Sequence, residues 1–336
     1  MQAMPEPRGP TTELLFERWQ DSPSATSARV PGCESTAPFF DEDLQLALYC
    51  CYELHYGGLP GVDERWEWNP WLLELRAGLE EAFEQALLAE VGAPSDAAEP
   101  EEMDLALRAI AEADDSPSLS RYVEHHADLD QMVEFVVHRS AYQLKEADPH
   151  SWALPRLSGP PKAALVEIQA DEYGGGRPER IHATMFARSM EALGLDSDTG
   201  AYLDSIPAIT LATVNLMSML GLHRRWRGAI VGHLALFEMT SSIPNRRYAT
   251  GLRRLGFDKQ ATAFFDEHVE ADAVHENIAA VDLAGGLARQ DPSLGPDVLW
   301  GARVLAALDA RWGRHLLDCW EQGRSSLLAP ITQLAA

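Results

Sequence analysis

Cysteine is scarce in this sequence, and its few occurrences form no metal-binding pattern. The four cysteines are Cys33, Cys50, Cys51 and Cys319, and no two of them have the C-x-x-C spacing. Zinc sites built on paired thiolates and iron–sulfur clusters use such spacings, so the sequence argues against both. We expect the thiols to be reduced, as is usual in a cytoplasmic protein.

Positive charge and long apolar runs are also lacking. Lys and Arg number 27 against 52 Asp and Glu, which gives a net charge of -25. A nucleic-acid-binding protein needs a basic patch, so we expect no nucleic-acid partner. The sequence contains no run of about 18 apolar residues, so we predict no membrane span. Residues 1–30 lack the apolar core of a secretory signal, and a cytoplasmic location is therefore expected.

Alternating apolar and polar residues, the pattern of a half-buried strand, are almost absent, and this predicts an all-α fold. We divide the chain into a flexible leader (1–37), an N-terminal helical extension (38–128) and a main helical domain (129–325). The leader contains one short helical pattern near Thr11–Gln20. The extension is a candidate surface for a homodimer.

Apolar residues at helical spacing, together with Pro and Gly at the ends of segments, predict where the helices lie. One helix begins near Asp41, after which the chain is apolar up to Gly57. The others cover 70–91, 101–113, 118–127, 129–147, 161–173, 178–193, 200–220, 223–242, 246–254, 258–284 and 293–322.

The segment FDEHVEADAVHENIA carries three residues that can bind a metal ion. His268, Asp272 and His275 are spaced i, i+4 and i+7. At about 100° per residue they fall within about 60° of one another, on one helix face. Two imidazoles and a carboxylate on one face can bind one ion. The alternative is a solvated polar face, since other acidic residues surround them.

The segment EIQADEYGGGRPERIH places Glu172 and His182 ten residues apart. On a straight helix these two would lie about 80° apart, whereas a spacing of seven would align them. The Gly triplet and Pro178 allow a break that absorbs the three extra residues. A phosphate-binding loop is a weaker alternative, because no G-K-[ST] follows. Asp171 neighbours Glu172 but is expected to point to another face.

Two further carboxylates, Glu146 and Glu238, lie in apolar helical segments. A buried carboxylate is costly unless it is paired or binds a metal. Each alone is more often a glutamate at a helix end or on the surface. Helix bundles build dinuclear sites from inward-facing Glu and His, and such ligands suit iron or manganese. The complete predicted metal site is Glu146, Glu172, His182, Glu238, His268, Asp272 and His275.

Other residues near these segments are weaker candidates. Four cations could bind a substrate carboxylate, although a solvated surface position is the favoured interpretation for each: Arg139, Lys145, Lys162 and Arg188. Tyr142 and Tyr173 could line a pocket or pack in the core. Glu53 is interpreted as structural.

The seven positions are separated by 26, 10, 56, 30, 4 and 3 residues. This spacing, together with HRSAYQLKEADPHSWALPRL and EIQADEYGGGRPERIH, resembles the haem-oxygenase-like dinuclear-iron oxidases and oxygenases, and in particular their N-oxygenating branch. The resemblance implies a haem-oxygenase-like bundle in which these seven residues hold two Fe ions. No catalytic residue is expected beyond the metal ligands.

The family's activity implies an enzyme that uses O2, with a peroxo-diferric species as the oxidant. The substrate would be a small amine- or amino-acid-like metabolite that undergoes N-oxygenation, with an external electron donor. Oxidative C–C cleavage or desaturation of an amino or fatty acid is the alternative reaction. A non-catalytic, metal-binding helical scaffold is the alternative from another class.

Overall fold

The computed structural model describes residues 4–23, 30, 32, 35–95, 98–113, 115–329 and 331. In these residues the elements are helices and turns, without a strand, and the predicted all-α fold is confirmed. The α-helices, in chain order, are α1 Pro10–Trp19, α2 Glu42–Glu53, α3 Pro70–Val91, α4 Met103–Glu112, α5 Leu119–His125, α6 Leu129–Gln143, α7 Asp148–Ser151, α8 Gly159–Glu172, α9 His182–Ala192, α10 Ala208–Leu222, α11 Arg227–Arg254, α12 Lys259–Asn277, α13 Gly286–Gln290 and α14 Gly295–Glu321. A π-helical stretch, Ile278–Gly285, joins α12 to α13.

One long helix replaces the two that were predicted over 223–242 and 246–254. Helix α11 continues through Pro244, although proline cannot donate to the carbonyl one turn earlier and commonly breaks a helix. Packing holds α11 as one helix, because it lies against α12, α14 and α5. Leu236 and Tyr248, on either side of the proline, are both buried. Tertiary packing therefore outweighs the local preference for a break.

Helices α11 and α14 approach each other closely in the centre of the bundle. A Cβ atom on Gly232 would lie 1.8 Å from the Val298 carbonyl oxygen, and one on Gly301 would lie 1.9 Å from that of Ala229. Only glycine at these two positions allows the backbones to come this close. The close contact fixes α11, which carries Glu238, against the rest of the core.

The N-terminal helices share the hydrophobic core of the bundle. In α1, Leu15 and Trp19 are buried, and the backbone N–H groups of Thr11 and Thr12 donate to Asp43 near the start of α2. Helix α2 packs in turn on α10. The predicted leader therefore includes a docked helix. The boundaries at 37 and 128 stay predictions.

None of the helices in the described residues is both long and apolar enough to cross a bilayer.

Candidate metal centre

The predicted ligands converge on one buried point between five segments of the bundle. Glu146 lies in the turn after α6, Glu172 ends α8 and His182 begins α9. Glu238 projects from α11, and the other three residues project from α12. Each of the seven has a relative exposure of 7% or less. The structure thus brings together side chains that lie up to 129 positions apart in the sequence.

Helix α12 presents its three residues to the core as the spacing predicts. Asp258 caps its first turn by accepting from the N–H groups of Gln260 and Ala261. His268, Asp272 and His275 are all buried, whereas the intervening positions 270, 273 and 274 are exposed. The helix face that carries these three residues is therefore buried and not solvated.

The Gly triplet brings Glu172 and His182 together. Gly174 has φ +71°, and a Cβ on it would lie 2.7 Å from the Arg180 carbonyl carbon and from the Ile181 nitrogen. The chain can fold back tightly here only because these atoms meet no side chain. As a result the Glu172 Oε2 atom lies 2.8 Å from His182 Nδ1. The break predicted from the sequence does align the two side chains.

The side chains form two overlapping groups that could each hold a metal ion. The four-ligand group is Glu146, Glu172, His182 and His268, and the three-ligand group is Glu172, Glu238 and His275. Within each group the candidate ligand atoms all lie within 4.8 Å of one another. Glu172 belongs to both, which is the arrangement of a carboxylate between two ions.

The donor atoms fit a metal because hydrogen bonds do not satisfy them. Five atoms that face the cluster are buried and make no hydrogen bond of suitable geometry, although two of them, Glu172 Oε2 and His182 Nδ1, lie 2.8 Å apart. The five are Glu146 Oε2, Glu172 Oε2, His182 Nδ1, His268 Nε2 and His275 Nδ1. Buried polar atoms of this kind are costly unless something binds them. Oxygen and imidazole donors suit iron or manganese. The chemistry of the donor set and its unsatisfied atoms both fit a pair of divalent ions.

The comparisons with known proteins agree with this geometry. Residues 133–310, more than half of the chain, match the family described as iron-containing redox enzymes. This chain belongs to that family. It is also 31% identical over 138 residues to a nitrosourea synthase from Streptomyces achromogenes subsp. streptozoticus, a match that covers 40% of this chain and 29% of that protein.

A solved structure shows the same fold. A CADD-like protein of unknown function from Nostoc punctiforme superposes with a TM-score of 0.53 at 17% identity, over 65% of this chain and 97% of that one. The prediction of a haem-oxygenase-like bundle is confirmed by these matches. The family match supports an iron-containing redox enzyme. The buried cluster of His and Glu in this chain provides residues that can bind a metal.

Burial and the neighbouring charges change the pKa values of three carboxylates in the centre. It raises the pKa of Glu238 to about 7, and the nearby carboxylates of Glu172 and Asp272 act in the same direction. Burial also raises the pKa of Asp272 to about 6. It acts likewise on Glu172, but the imidazoles of His182, His268 and His275 outweigh it and hold the pKa of Glu172 below its usual value. Of these three carboxylates, Glu172 is therefore the one most ready to bind a cation.

The pKa values of His275 and His268 are raised, although burial alone would lower them. Burial lowers the pKa of His275, but Glu238 and Glu172 more than compensate and raise it to about 9. Burial likewise opposes the charge on His268, and Glu146 and Asp272 raise its pKa well above the usual value. Without a metal the centre holds protons that a divalent cation must displace.

Asp272 lies in the same cavity but in neither of the two ligand groups. Its Oδ2 atom accepts a hydrogen bond of 2.6 Å from the Ser241 hydroxyl. Both residues line the cavity over the cluster, together with Tyr142, Phe237 and the imidazole of His150. Whether Asp272 coordinates an ion stays a prediction.

Several residues near the centre were missed or misplaced by sequence reasoning. Asp171, expected to point away, reaches His275, with its Oδ2 atom 3.2 Å from Nε2. His150 contacts His233, with 3.2 Å between Nε2 and Nδ1. Burial lowers the pKa of His150 to about 4. Only contacts across the fold, to elements distant in sequence, distinguish these residues from ordinary polar positions.

The flanking cations divide into buried and exposed ones. Lys145 is not a surface residue, because it is buried in an ion pair with Glu53 and lies over the rings of Tyr49 and Tyr56. Arg188 is exposed, as a solvated position requires. The structural interpretation of Glu53 agrees with this pair.

Proposed function

We propose that this chain is an O2-dependent, non-haem dinuclear-iron oxidase or oxygenase. The observation that carries the proposal is that the four-ligand and three-ligand groups share Glu172. Two ions bridged by a carboxylate inside a helix bundle are the usual architecture of dinuclear carboxylate proteins. Membership of an iron-containing redox family supports iron as the metal.

The seven predicted ligands, Asp272 among them, would hold the two irons. When bound, the irons would supply the reduction of O2 and the oxidation of the substrate. Three carboxylates besides Glu172 balance the charge of the cations. The Ser241 hydroxyl orients Asp272, and the edge-to-face pair of Tyr142 and Phe237, with ring centroids 5.6 Å apart, shields the cavity from water.

The substrate proposed is a small amine- or amino-acid-like metabolite that undergoes N-oxygenation. The ligand spacing resembles that of the N-oxygenating branch. The curated relative is named for making a nitrosourea, a product that carries an oxidised nitrogen. An external electron donor, a cytoplasmic location and a homodimer are part of the same proposal.

Anaerobic loading with Fe2+ followed by rapid mixing with O2 tests the proposal. We expect two irons per chain and a transient visible absorbance that decays faster when an amine substrate is present. His268→Ala should lose this transient. His125→Ala removes a mostly exposed imidazole outside the cluster and should behave like the wild type.

Other results would redirect the assignment. Tight iron binding without O2 consumption under any reductant would support the metal-binding scaffold. O2 consumption with release of CO2 or an alkene product would support C–C cleavage or desaturation. Binding of no more than trace iron, or an unchanged transient in His268→Ala, would contradict the proposed centre.

A further inference from the structure

His275 has a nitrogen on each side of its ring, and the two face different partners. Nδ1 points into the three-ligand group, 3.4 Å from Glu238 Oε2 and 3.7 Å from Glu172 Oε1, without a hydrogen bond. Nε2 points the other way, 3.2 Å from Asp171 Oδ2. A neutral imidazole carries its proton on one nitrogen and a lone pair on the other. The acceptor at Nε2 therefore decides whether Nδ1 is free to bind a metal.

Asp171 lies where a negative charge is unfavourable unless a partner compensates for it. It lies in the last turn of α8, where the helix dipole disfavours a negative charge. Its side chain is 46% exposed, so it has solvent available to it, yet its carboxylate lies against a buried imidazole. The N–H group of this imidazole and the charge of Arg180, which also interacts with Asp171, both offset the unfavourable helix end.

His268, two turns earlier on α12, shows the same division of its two nitrogens. Its Nδ1 contacts the Phe264 carbonyl oxygen at 2.8 Å, and its Nε2 lies 3.4 Å from Glu146 Oε2 in the four-ligand group. In both residues one nitrogen faces the cluster and the other faces an oxygen acceptor. The acceptor is backbone for His268 and a side chain for His275.

We propose that Asp171 is a positioning residue, whose carboxylate accepts a hydrogen bond from the Nε2–H group of His275 and so presents the lone pair of Nδ1 to the ion of the three-ligand group. This inference rests on the proposed metal centre. A carboxylate behind a ligand histidine fixes the tautomer and the ring orientation, and its removal typically costs about 10–100-fold in metal affinity. Asp171 is not itself required as a ligand.

Two measurements on the full chain test this role. Anaerobic titration with Co2+, followed by visible absorbance, gives the affinities of the two ions for wild type, Asp171→Ala and Asp171→Asn. Glu270→Gln removes a similar charge from an exposed position on α12 and serves as the control. The second measurement is the 15N imidazole spectrum of the metal-free protein at pH 10, assigned with His275→Gln, which reports the tautomer of His275 directly.

We expect Asp171→Ala to weaken one of the two ions by about 10–100-fold and to leave the other within about twofold. Asp171→Asn, which keeps an acceptor oxygen, should recover part of the loss. In the metal-free protein Glu238 and Glu172 favour a proton on Nδ1, whereas Asp171 favours one on Nε2. The His275 spectrum should therefore show a larger fraction of the Nε2–H tautomer in the wild type than in Asp171→Ala. Equal weakening of both ions with a lower melting temperature of the metal-free protein would overturn the inference, as would an unchanged tautomer.

The two measurements also separate this inference from the proposed function. If the wild type binds no Co2+ while Asp171→Ala still shifts the His275 tautomer, the metal centre fails and the positioning contact stands. If two ions bind and Asp171→Ala changes neither affinity nor tautomer, the centre stands and the positioning role fails.

Discussion

The two halves of the candidate centre differ in how firmly their histidines are held. In the four-ligand group, His268 contacts a backbone oxygen of its own helix, and its ring lies 4.2 Å from Phe264 and 4.4 Å from His182, between centroids. In the three-ligand group, His275 depends on Asp171, whose side chain is nearly half exposed. One histidine is fixed by the main chain and the other by a side chain that can move into solvent.

This difference leads us to expect unequal ion sites. The four-ligand group offers more donors, and packing already orders them. The three-ligand group must hold its histidine while competing with water for Asp171, and burial gives its Glu238 a pKa near neutrality. The first ion should therefore enter the four-ligand group, and the second should bind more weakly.

The largest effect is expected at the residue that both groups share. Glu172→Gln should abolish binding of both ions at micromolar metal, because a neutral amide cannot replace a carboxylate between two cations. Metal content after anaerobic loading and gel filtration measures this. Glu167→Gln, exposed and on the same helix, should retain two ions. One tightly bound ion in Glu172→Gln would show that the groups do not share it.

Single histidine variants should separate the two halves. His275→Ala should leave one tight ion and remove the weaker binding step, whereas His268→Ala should weaken the tighter step. Each loss should exceed the roughly 10–100-fold that an outer partner of a ligand costs. Isothermal titration with Co2+ resolves the two steps. If both variants affect both steps equally, the comparison between the halves is wrong.

Much of the fold could be predicted because its signals are local. The stripe on α12 is visible in a spacing of three and four residues, and the Gly triplet reveals the break after α8. Pro244 misled the prediction, because contacts with neighbouring helices, among them α5, α12 and α14, hold α11 as one helix. A helix boundary is decided partly by neighbours that are distant in sequence.

The surroundings of the ligands were harder to predict for the same reason. Lys145 looks like a surface residue until Glu53, 92 positions away, is placed beside it. Asp171 was set aside because neighbouring residues on a helix differ by about 100° in direction. That reasoning ignores the size of the imidazole ring. The ring of His275 extends far enough for its second nitrogen, Nε2, to contact Asp171. Contacts of this kind require the assembled bundle.

Raising the pH should destabilise the metal-free protein more than the metal-loaded one. The pKa values of about 6 for Asp272, about 7 for Glu238 and about 9 for His275 all lie above their usual values. At these three groups the folded state thus binds more protons than the unfolded state. Their contribution to stability falls as pH rises from their usual pKa values of 3.8, 4.5 and 6.5 to these raised ones, by about 1.4 kcal/mol per pH unit for each extra proton.

A metal displaces these protons, so the rise in melting temperature on adding Co2+ should grow from pH 6 to pH 8. Thermal unfolding at both pH values measures this. Glu172→Gln, which lacks the shared ligand, should show no metal-dependent rise at either pH. A rise that shrinks with increasing pH would contradict the proton balance assigned to the two halves.

The smallest effect is expected at the glycine break that joins Glu172 to His182. Gly174→Ala should cost about 2 kcal/mol in unfolding free energy, because its φ is +71° and the new Cβ would meet backbone at 2.7 Å. Gly175→Ala has φ +58° but open space around it, and should cost about 1 kcal/mol, for backbone strain alone. Chemical denaturation measures both. Because the clash displaces the segment that carries His182, only Gly174→Ala should also weaken the tighter ion; equal effects of the two variants would mean that the break can shift without disturbing the four-ligand group.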